Sequence, residues 1–236
     1  MADGIYNAAS GALARMEQLD VVANNLANAS SNGFRAQALS FREVLAASGQ
    51  GEVRQALVDG TRVKDTQGAL VRTGRALDVA LDGPGYFRLQ SDNGPVLTRN
   101  GHFRVDAGGL LVNEDGLPVL GANGPVRVDP AARVSFSAEG EVLDGDEPVE
   151  KLSLVRYDAG DLRPLGGSLL TIKDGARPTQ LDIGRVCGET LESSNTNVLH
   201  QMTEMISTNR LFDATMNAID TYKQIDSKTA AGLSRR

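Results

Sequence analysis

The residues best suited to bond-making chemistry are few in this 236-residue chain and lie far apart. It has one cysteine, Cys187, and two histidines, His102 and His200. A tetrahedral zinc site draws several Cys or His ligands together, so this count comes close to excluding one. Cys187 has no second cysteine to form an internal disulfide, and beside Gly188 it reads as a small packed residue. His102, between Gly101 and Phe103, has no serine or cysteine next to it, and the chain has no G-x-S-x-G turn. Glu139, Glu141, Asp144, Asp146 and Glu147 lack the twelve-residue pattern of a calcium loop and read as a solvated acidic hairpin. Gly83-Pro84-Gly85 and Gly108-Gly109 are turn glycines without the strand-to-helix setting of a phosphate loop. No nucleophile, base and orienting group come together. The reading is therefore no catalytic residue, no metal, no cofactor and no small-molecule substrate.

Composition narrows the classes further. Hydrophobic residues make up 41% of the chain but aromatics only 4%, with no Trp, so a core must be built from Leu, Val, Ala and Ile. A formal net charge of −6 argues against nucleic acid, whose phosphates need a basic face. Lys and Arg are scattered rather than blocked, and no apolar stretch is long enough to span a bilayer, so direct membrane insertion is not expected. The opening Met-Ala-Asp-Gly-Ile-Tyr lacks the basic and apolar regions of a cleaved signal peptide.

Both ends carry helical periodicity. Ile5, Ala9, Ala12, Met16, Leu19, Ala23 and Leu26 alternate steps of four and three, which predicts one apolar seam. Val198, Met202, Met205, Phe212, Met216 and Ile219 repeat the rule, with Asn209 in one seam slot. Leu199, Ile206, Leu211, Tyr222 and Ile225 lie off that second seam, and a helix apolar on several sides expects several neighbours. The first helix should fray around Asn28 to Ser31, with Gly33 beyond it able to take φ > 0, and the second should begin near Asn197, where Ser-Ser-Asn-Thr-Asn offers several caps.

The middle has a different rhythm. From about residue 75 to 190, short runs such as Tyr86 to Leu89, Val96 to Thr98 and Val134 to Phe136 alternate with glycine-rich turns, the pattern of a β barrel or sandwich. The expected fold is α+β. An all-β middle domain (75–190, barrel- or sandwich-like) is inserted between long terminal helices (1–35 and 191–236) that pair as a coiled coil. Residues 36–74 are expected to form an extended connector. The helices account for ~60 residues, each losing on the order of 1–2 kcal/mol of backbone entropy. Each large seam residue returns roughly 1.5–3 kcal/mol, and alanine less. One helix pair is then marginal, and the off-seam apolar residues favour packing on other copies.

Four blocks carry a family resemblance. Val22-Ala23-Asn24-Asn25-Leu26-Ala27-Asn28, followed by Ser30, Gly33, Phe34 and Arg35, resembles the N-terminal signature of flagellar rod and hook proteins. Leu77-Asp78-Val79-Ala80-Leu81 with Gly83, Gly85 and Phe87 resembles the first strands of their β domain. Leu97-Thr98-Arg99-Asn100-Gly101 with Phe103, then Gly109-Leu110-Leu111-Val112, Gly116 and Val119-Leu120-Gly121, resembles the next stretch of that domain. Leu191-Glu192-Ser193-Ser194-Asn195-Thr196-Asn197, with Glu204-Met205-Ile206 and Arg210, is similar to the C-terminal signature. Residues from about 122 to 186 match little. The length leaves room for one middle β domain, and Phe34-Arg35-Ala36-Gln37 is more similar to the proximal-rod branch than to the distal-rod branch.

The resemblance implies a structural, non-enzymatic subunit of the flagellar basal body. It implies export through the flagellar type III apparatus and self-assembly, with other rod proteins, into a helical shaft crossing the periplasm. The terminal helices would form the inner tube and the β domain would face outward. The expected assembly interface takes Ile5, Ala12, Met16, Leu19, Ala23 and Leu26 from the first seam, and Val198, Met202, Met205, Phe212, Met216 and Ile219 from the second. Asn24, Asn25, Asn28, Gly33, Phe34, Asn195, Asn197, Ile206 and Arg210 complete it from the signature blocks. Two readings stay open for the asparagines: caps and turn formers within the chain, or polar groups that bond neighbouring subunits and fix register. Asn209 is open in the same way. The rival classes are a cell-envelope enzyme and a soluble adaptor dimerising through a coiled coil. Neither explains four motif blocks in this order.

Overall fold

The computed structural model of the chain describes residues 2–48, 51–130, 133–145, 147–179 and 184–233, with side chains for 9–40, 60–130, 133–145, 147–179 and 184–225. It is an α+β fold with a long helix near each end, α1 (Ala2–Ala27) and α2 (Val198–Leu233). The chain divides into two compact units. One comprises residues 1–27, 39–61 and 197–236, and the other residues 28–38 and 62–196.

In the first unit α1 and α2 pack along one another. Gln18 reaches Glu204 while Asn25 reaches Gln201, so the two helices run in opposite directions. The Asn197 side chain accepts the His200 N–H at 3.0 Å, so among the several possible caps in 193–197 it is Asn197 that makes an N-cap bond. Within the stretch read as an extended connector, β1 (Gln37–Ser48) and β2 (Gly51–Val63) pair as a two-stranded ribbon. No helix among the described residues is long and apolar enough to cross a membrane.

The second unit holds the short strands. In chain order they are β3 (Leu70–Arg72), β4 (Val79–Asp82), β5 (Tyr86–Ser91), β6 (Gly94–Thr98), β7 (Arg104–Val105), β8 (Leu111–Val112), β9 (Val134–Phe136), β10 (Glu141–Asp144), β11 (Glu147–Lys151), β12 (Leu154–Val155), β13 (Leu162–Gly166), β14 (Leu169–Ile172), β15 (Arg185–Gly188) and β16 (Thr190–Glu192). The largest sheet has the antiparallel order β12-β5-β6-β14-β13. Successive side chains point to opposite faces of a strand, and here both faces are covered. Phe87, Leu89 and Val96 join a large cluster with Val79, Leu81, Phe103, Leu111 and Val119. Tyr86, Leu97, Leu162 and Leu170 join a smaller one with Val63. Phe87 and Phe103 meet edge to face, with centroids 5.4 Å apart.

Of the barrel- or sandwich-like expectation, the closed barrel does not form: among the described residues the strands divide among several small sheets, none of them closed. Closure needs paired edge strands of matched length. Here many strands are two to four residues long, and the edge strand β13 contains Pro164, which has no N–H to offer a neighbour, followed by a bulge before Gly166. The acidic run forms the β10–β11 hairpin, with Asp144 opposite Glu147 and Gly145 at φ 64° in its turn; Asp146 lies outside the described residues.

Candidate assembly surface

The helix pair buries a face rotated from the apolar seam. On α1 the buried residues are Ala12, Val22 and Asn25, with Leu19 and Leu26 half-buried, while Met16 and Ala23 are exposed. On α2 Gln201, Thr208 and Ile219 are buried, and Met205, Phe212 and Thr215 are half-buried. Those α2 positions keep the alternating spacing of three and four, but several carry polar side chains. Asn25 Nδ2 donates to Gln201 Oε1 at 3.2 Å in a fully buried pair, and Gln18 Nε2 donates to Glu204 Oε1 at 3.2 Å. The Thr215 hydroxyl donates to the carbonyl of Leu211 at 2.8 Å, so it can face inward with its donor satisfied.

Placing polar groups inward leaves apolar ones outside. Val198, Met202 and Ile206 recur every fourth residue, hence on one stripe of α2, and are exposed together with Leu199 and Met216. Leu211, Tyr222 and Ile225 are exposed elsewhere around the helix, and Leu13 and Met16 are exposed on α1. Leu199 keeps 77% of its surface and Ile206 55%. Isolated exposed apolar residues are ordinary, but a recurring stripe marks a surface that meets something else.

In the second unit, sequence-remote signature residues converge on one junction. Gly33, at φ 66°, lies so close to the backbone of Arg99 and Asn100 that any Cβ would overlap it. Gly68 meets the Ser193 carbonyl in the same way. The Gly33 N–H donates to the Glu192 carbonyl at 2.7 Å, and the Asn195 N–H to the Phe34 carbonyl at 3.3 Å. The Asn195 side chain accepts the Ala36 N–H at 2.6 Å and donates to the Lys64 and Thr66 carbonyls at 3.2 and 2.7 Å. At its centre Glu192, 1% exposed, pairs with Arg35 at 2.9 Å and Arg99 at 3.1 Å. Arg99 also donates to the Leu81 and Gly83 carbonyls and lies over the Tyr86 ring, 5.3 Å from its centroid. Burial pulls the Arg99 pKa down, against the opposing pull of the Glu192 carboxylate.

Residues 5–35 match the family described as flagella basal body rod protein, residues 80–143 the flagellar hook protein FlgE/F/G D1 domain, and residues 188–232 the flagellar basal body rod FlgEFG protein C-terminal region. The chain is 32% identical to the flagellar basal-body rod protein FlgF of Mesorhizobium japonicum over 220 residues, covering 91% of each. The chain belongs to the flagellar basal-body rod protein family. It is also 32% identical to FlgF of Escherichia coli, over 93% of each chain, and 30% identical to the rod protein FlgG of Bacillus subtilis, over 95% of this chain and 97% of the relative. It is a structural protein of the basal-body rod, of the FlgF/FlgG type, and not an enzyme. Rod proteins assemble with other rod and hook proteins, and the rod is the place the family gives this one.

Within this rod protein the expected interface residues fall into two sets. Ala12, Asn25 and Ile219 are buried within the helix pair, and Leu19, Leu26, Met205 and Phe212 are half-buried. Met16, Ala23, Asn24, Asn197, Val198, Met202, Ile206, Arg210 and Met216 are exposed; the Ile5 side chain lies outside the described residues. Asn28 belongs to the turn after α1, its carbonyl and its side chain both accepting from Ser31. Gly33, Phe34 and Asn195 stand at the junction of the second unit. The sequence pattern left unassigned the buried pairing of Arg35, Arg99 and Glu192. Its only trace is an arginine inside a run otherwise fit for a strand interior, Val96 to Thr98 and onward, with no acidic residue near it in sequence.

Proposed function

We propose that this rod protein is a proximal-rod subunit that builds the helical drive shaft through its terminal helices. In this reading residues 1–35 and 191–236 form the inner-tube domain, α1 and α2 pair as a coiled coil, residues 36–74 link them to the β domain at 75–190, and that domain faces outward. Copies of this chain and other rod proteins meet on the helices after export through the flagellar type III apparatus. The observation that carries the reading is the inversion on α2: Gln201 and Thr208 are buried while Val198, Met202 and Ile206 stand exposed on one stripe. Such a helix is incompletely buried until a neighbouring subunit covers the stripe.

The test charges that stripe. Met202→Asp and Ile206→Asp should leave a soluble chain with an intact β domain and abolish rod formation, because an unpaired carboxylate buried between subunits costs about 3–5 kcal/mol. Cells that swim normally with either variant would refute the assembly role. Discrete dimers that never extend would favour the adaptor. A FlgG-like distal-rod position remains the second reading, since the Bacillus subtilis FlgG relative covers the chain as fully as the FlgF relatives do. Site-specific crosslinking that identifies the rod neighbours separates the two.

A further inference from the structure

Glu192 holds one negative charge between two buried guanidinium groups, and both its oxygens are in use. Oε1 pairs with Arg35 and accepts the Gly68 N–H at 2.9 Å, and Oε2 pairs with Arg99. Its partners come from three segments far away in sequence, the Gly68 contact spanning 124 residues and the Arg99 contact 93. Asn195, three residues on, bonds Ala36 across 159 residues. Among the described residues Glu192 is the carboxylate that pairs with both arginines; Asp65 acts on Arg99 only through space, and the other partners, the carbonyls of Thr66, Leu81 and Gly83, carry no net charge. Without the carboxylate, two like charges would face each other out of water, which no fold holds cheaply.

The charged group borders the apolar packing without being built from it: Arg99 lies over Tyr86 of the smaller cluster and donates to the Leu81 carbonyl, while the large cluster around Phe87 and Phe103 is held by its own apolar contacts. None of Arg35, Gly68, Arg99, Glu192 or Asn195 belongs to the large apolar cluster, whose members run from Val79 to Val186. Arg35 lies where the chain leads from α1 into the second unit, Gly68 shortly after the chain re-enters that unit at residue 62, and Glu192 and Asn195 where it leaves for α2.

We propose that Glu192 is a positioning residue: a charge latch that fastens the segments at 33–36, 64–68 and 192–195 to one another, by contacts other than those of the large apolar cluster. Closing it requires residue 192 to be in place, so the N-terminal segment stays open until the C-terminal one arrives. The local order of residues 33–36, 64–68 and 192–195 then rises and falls together, whereas the core folds on its own contacts.

The experiment is hydrogen exchange on the full-length monomer, which does not depend on the rod reading. In Glu192→Gln the amides of Gly33, Ala36, Lys64, Gly68, Ser193 and Asn195 should exchange at least about tenfold faster, while those of Leu111, Val119 and Val126 change by less than about twofold. Adding Arg99→Gln should recover much of the lost protection, because it removes one of the two stranded charges. Unchanged exchange at the six junction amides overturns the latch. So does a loss spread equally over Leu111, Val119 and Val126, which would make Glu192 an ordinary contributor to global stability. Failure of the double variant to recover overturns the charge argument.

Discussion

In the β unit Val79, Leu81, Phe87, Leu89, Phe103 and Leu111 are sealed from solvent, and the charges buried among them are paired. In the helix pair Asn25, Gln201 and Thr208 are buried while Leu13, Met16, Leu199, Met202 and Ile206 face out. The hydrophobic effect acts on both, yet the first has gathered a sealed apolar core within one chain, with Val71, Val149 and Leu165 exposed only at scattered strand positions, whereas the second leaves a recurring stripe outside. The contrast teaches that the two units answer to different partners. The β unit packs its main core on itself, and in the proposed reading the helices keep their exposed stripe for an assembly.

The largest effect should come from the β unit. Phe103→Ala removes a fully buried ring that packs on Phe87 and should cost about 3–5 kcal/mol in denaturant unfolding of the monomer. A loss below about 1 kcal/mol would mean that this core is loosely packed, and the contrast with the helices would fail.

The buried polar pair of the helices comes next. Asn25→Ala leaves the Gln201 amide without its partner and should cost about 1–3 kcal/mol of helix-pair stability. Asn25→Leu combined with Gln201→Leu should restore or exceed the original stability while loosening the register of the two helices. Circular-dichroism melting gives the first quantity, and crosslinking of paired cysteines placed along α1 and α2 gives the second. A double variant that is both less stable and unchanged in register would place Asn25 among ordinary packing residues.

Ile206→Ala sharpens the contrast from the other side. An exposed side chain truncated in the monomer should shift its stability by less than about 0.5 kcal/mol, yet weaken rod assembly measurably. A monomer destabilised as strongly as by Phe103→Ala would show that α2 meets another part of its own chain in solution.

How much of this was legible in the sequence divides along the same line. The strand runs at Tyr86 to Leu89, Val96 to Thr98 and Val134 to Phe136 coincide with β5, β6 and β9, because short alternating segments between glycine turns have few alternatives. The second helix begins where the cap-rich run 193–197 placed it, with Asn197 the residue that caps it. The face that α1 and α2 bury was not legible, since periodicity marks the apolar stripe but does not say whether the stripe meets the same chain or another. Thus Val22 and Asn25 are buried where Ala23 and Met16 were expected. The Arg35–Glu192–Arg99 cluster was hidden for another reason. Its members lie 93 or more residues from Glu192, and no local rule pairs charges at that distance.

The narrowest contrast, seen only under alkaline conditions, sets one tyrosine from each unit against the other. Tyr86 is buried with its hydroxyl donating to Asp65 at 3.1 Å, whereas Tyr222 on α2 is exposed. Burial, with the Asp65 charge beside it, pushes the Tyr86 phenol well above its ordinary range, and the nearby Arg35 and Arg99 only partly oppose this. A solvated tyrosine ionises near pH 10. Above about pH 10 the unfolded chain therefore gives up a proton that the folded chain keeps. The folded state then binds more protons, so stability falls as pH rises, by at most ~1.4 kcal/mol per pH unit for one group. The contribution is fully present below about pH 10 and is lost as pH climbs toward the raised value. Tyr86→Phe has no proton to lose and should flatten this slope, after a fixed cost of about 1 kcal/mol for the missing hydroxyl bond. Tyr222→Phe should leave the slope of the β unit as it was. Both are read from urea unfolding of the monomer between pH 9 and 11, monitored by a probe in the β unit. Equal slopes in the parent and Tyr86→Phe would mean that water reaches this phenol, and that the smaller cluster around Tyr86 is more open than the core around Phe103.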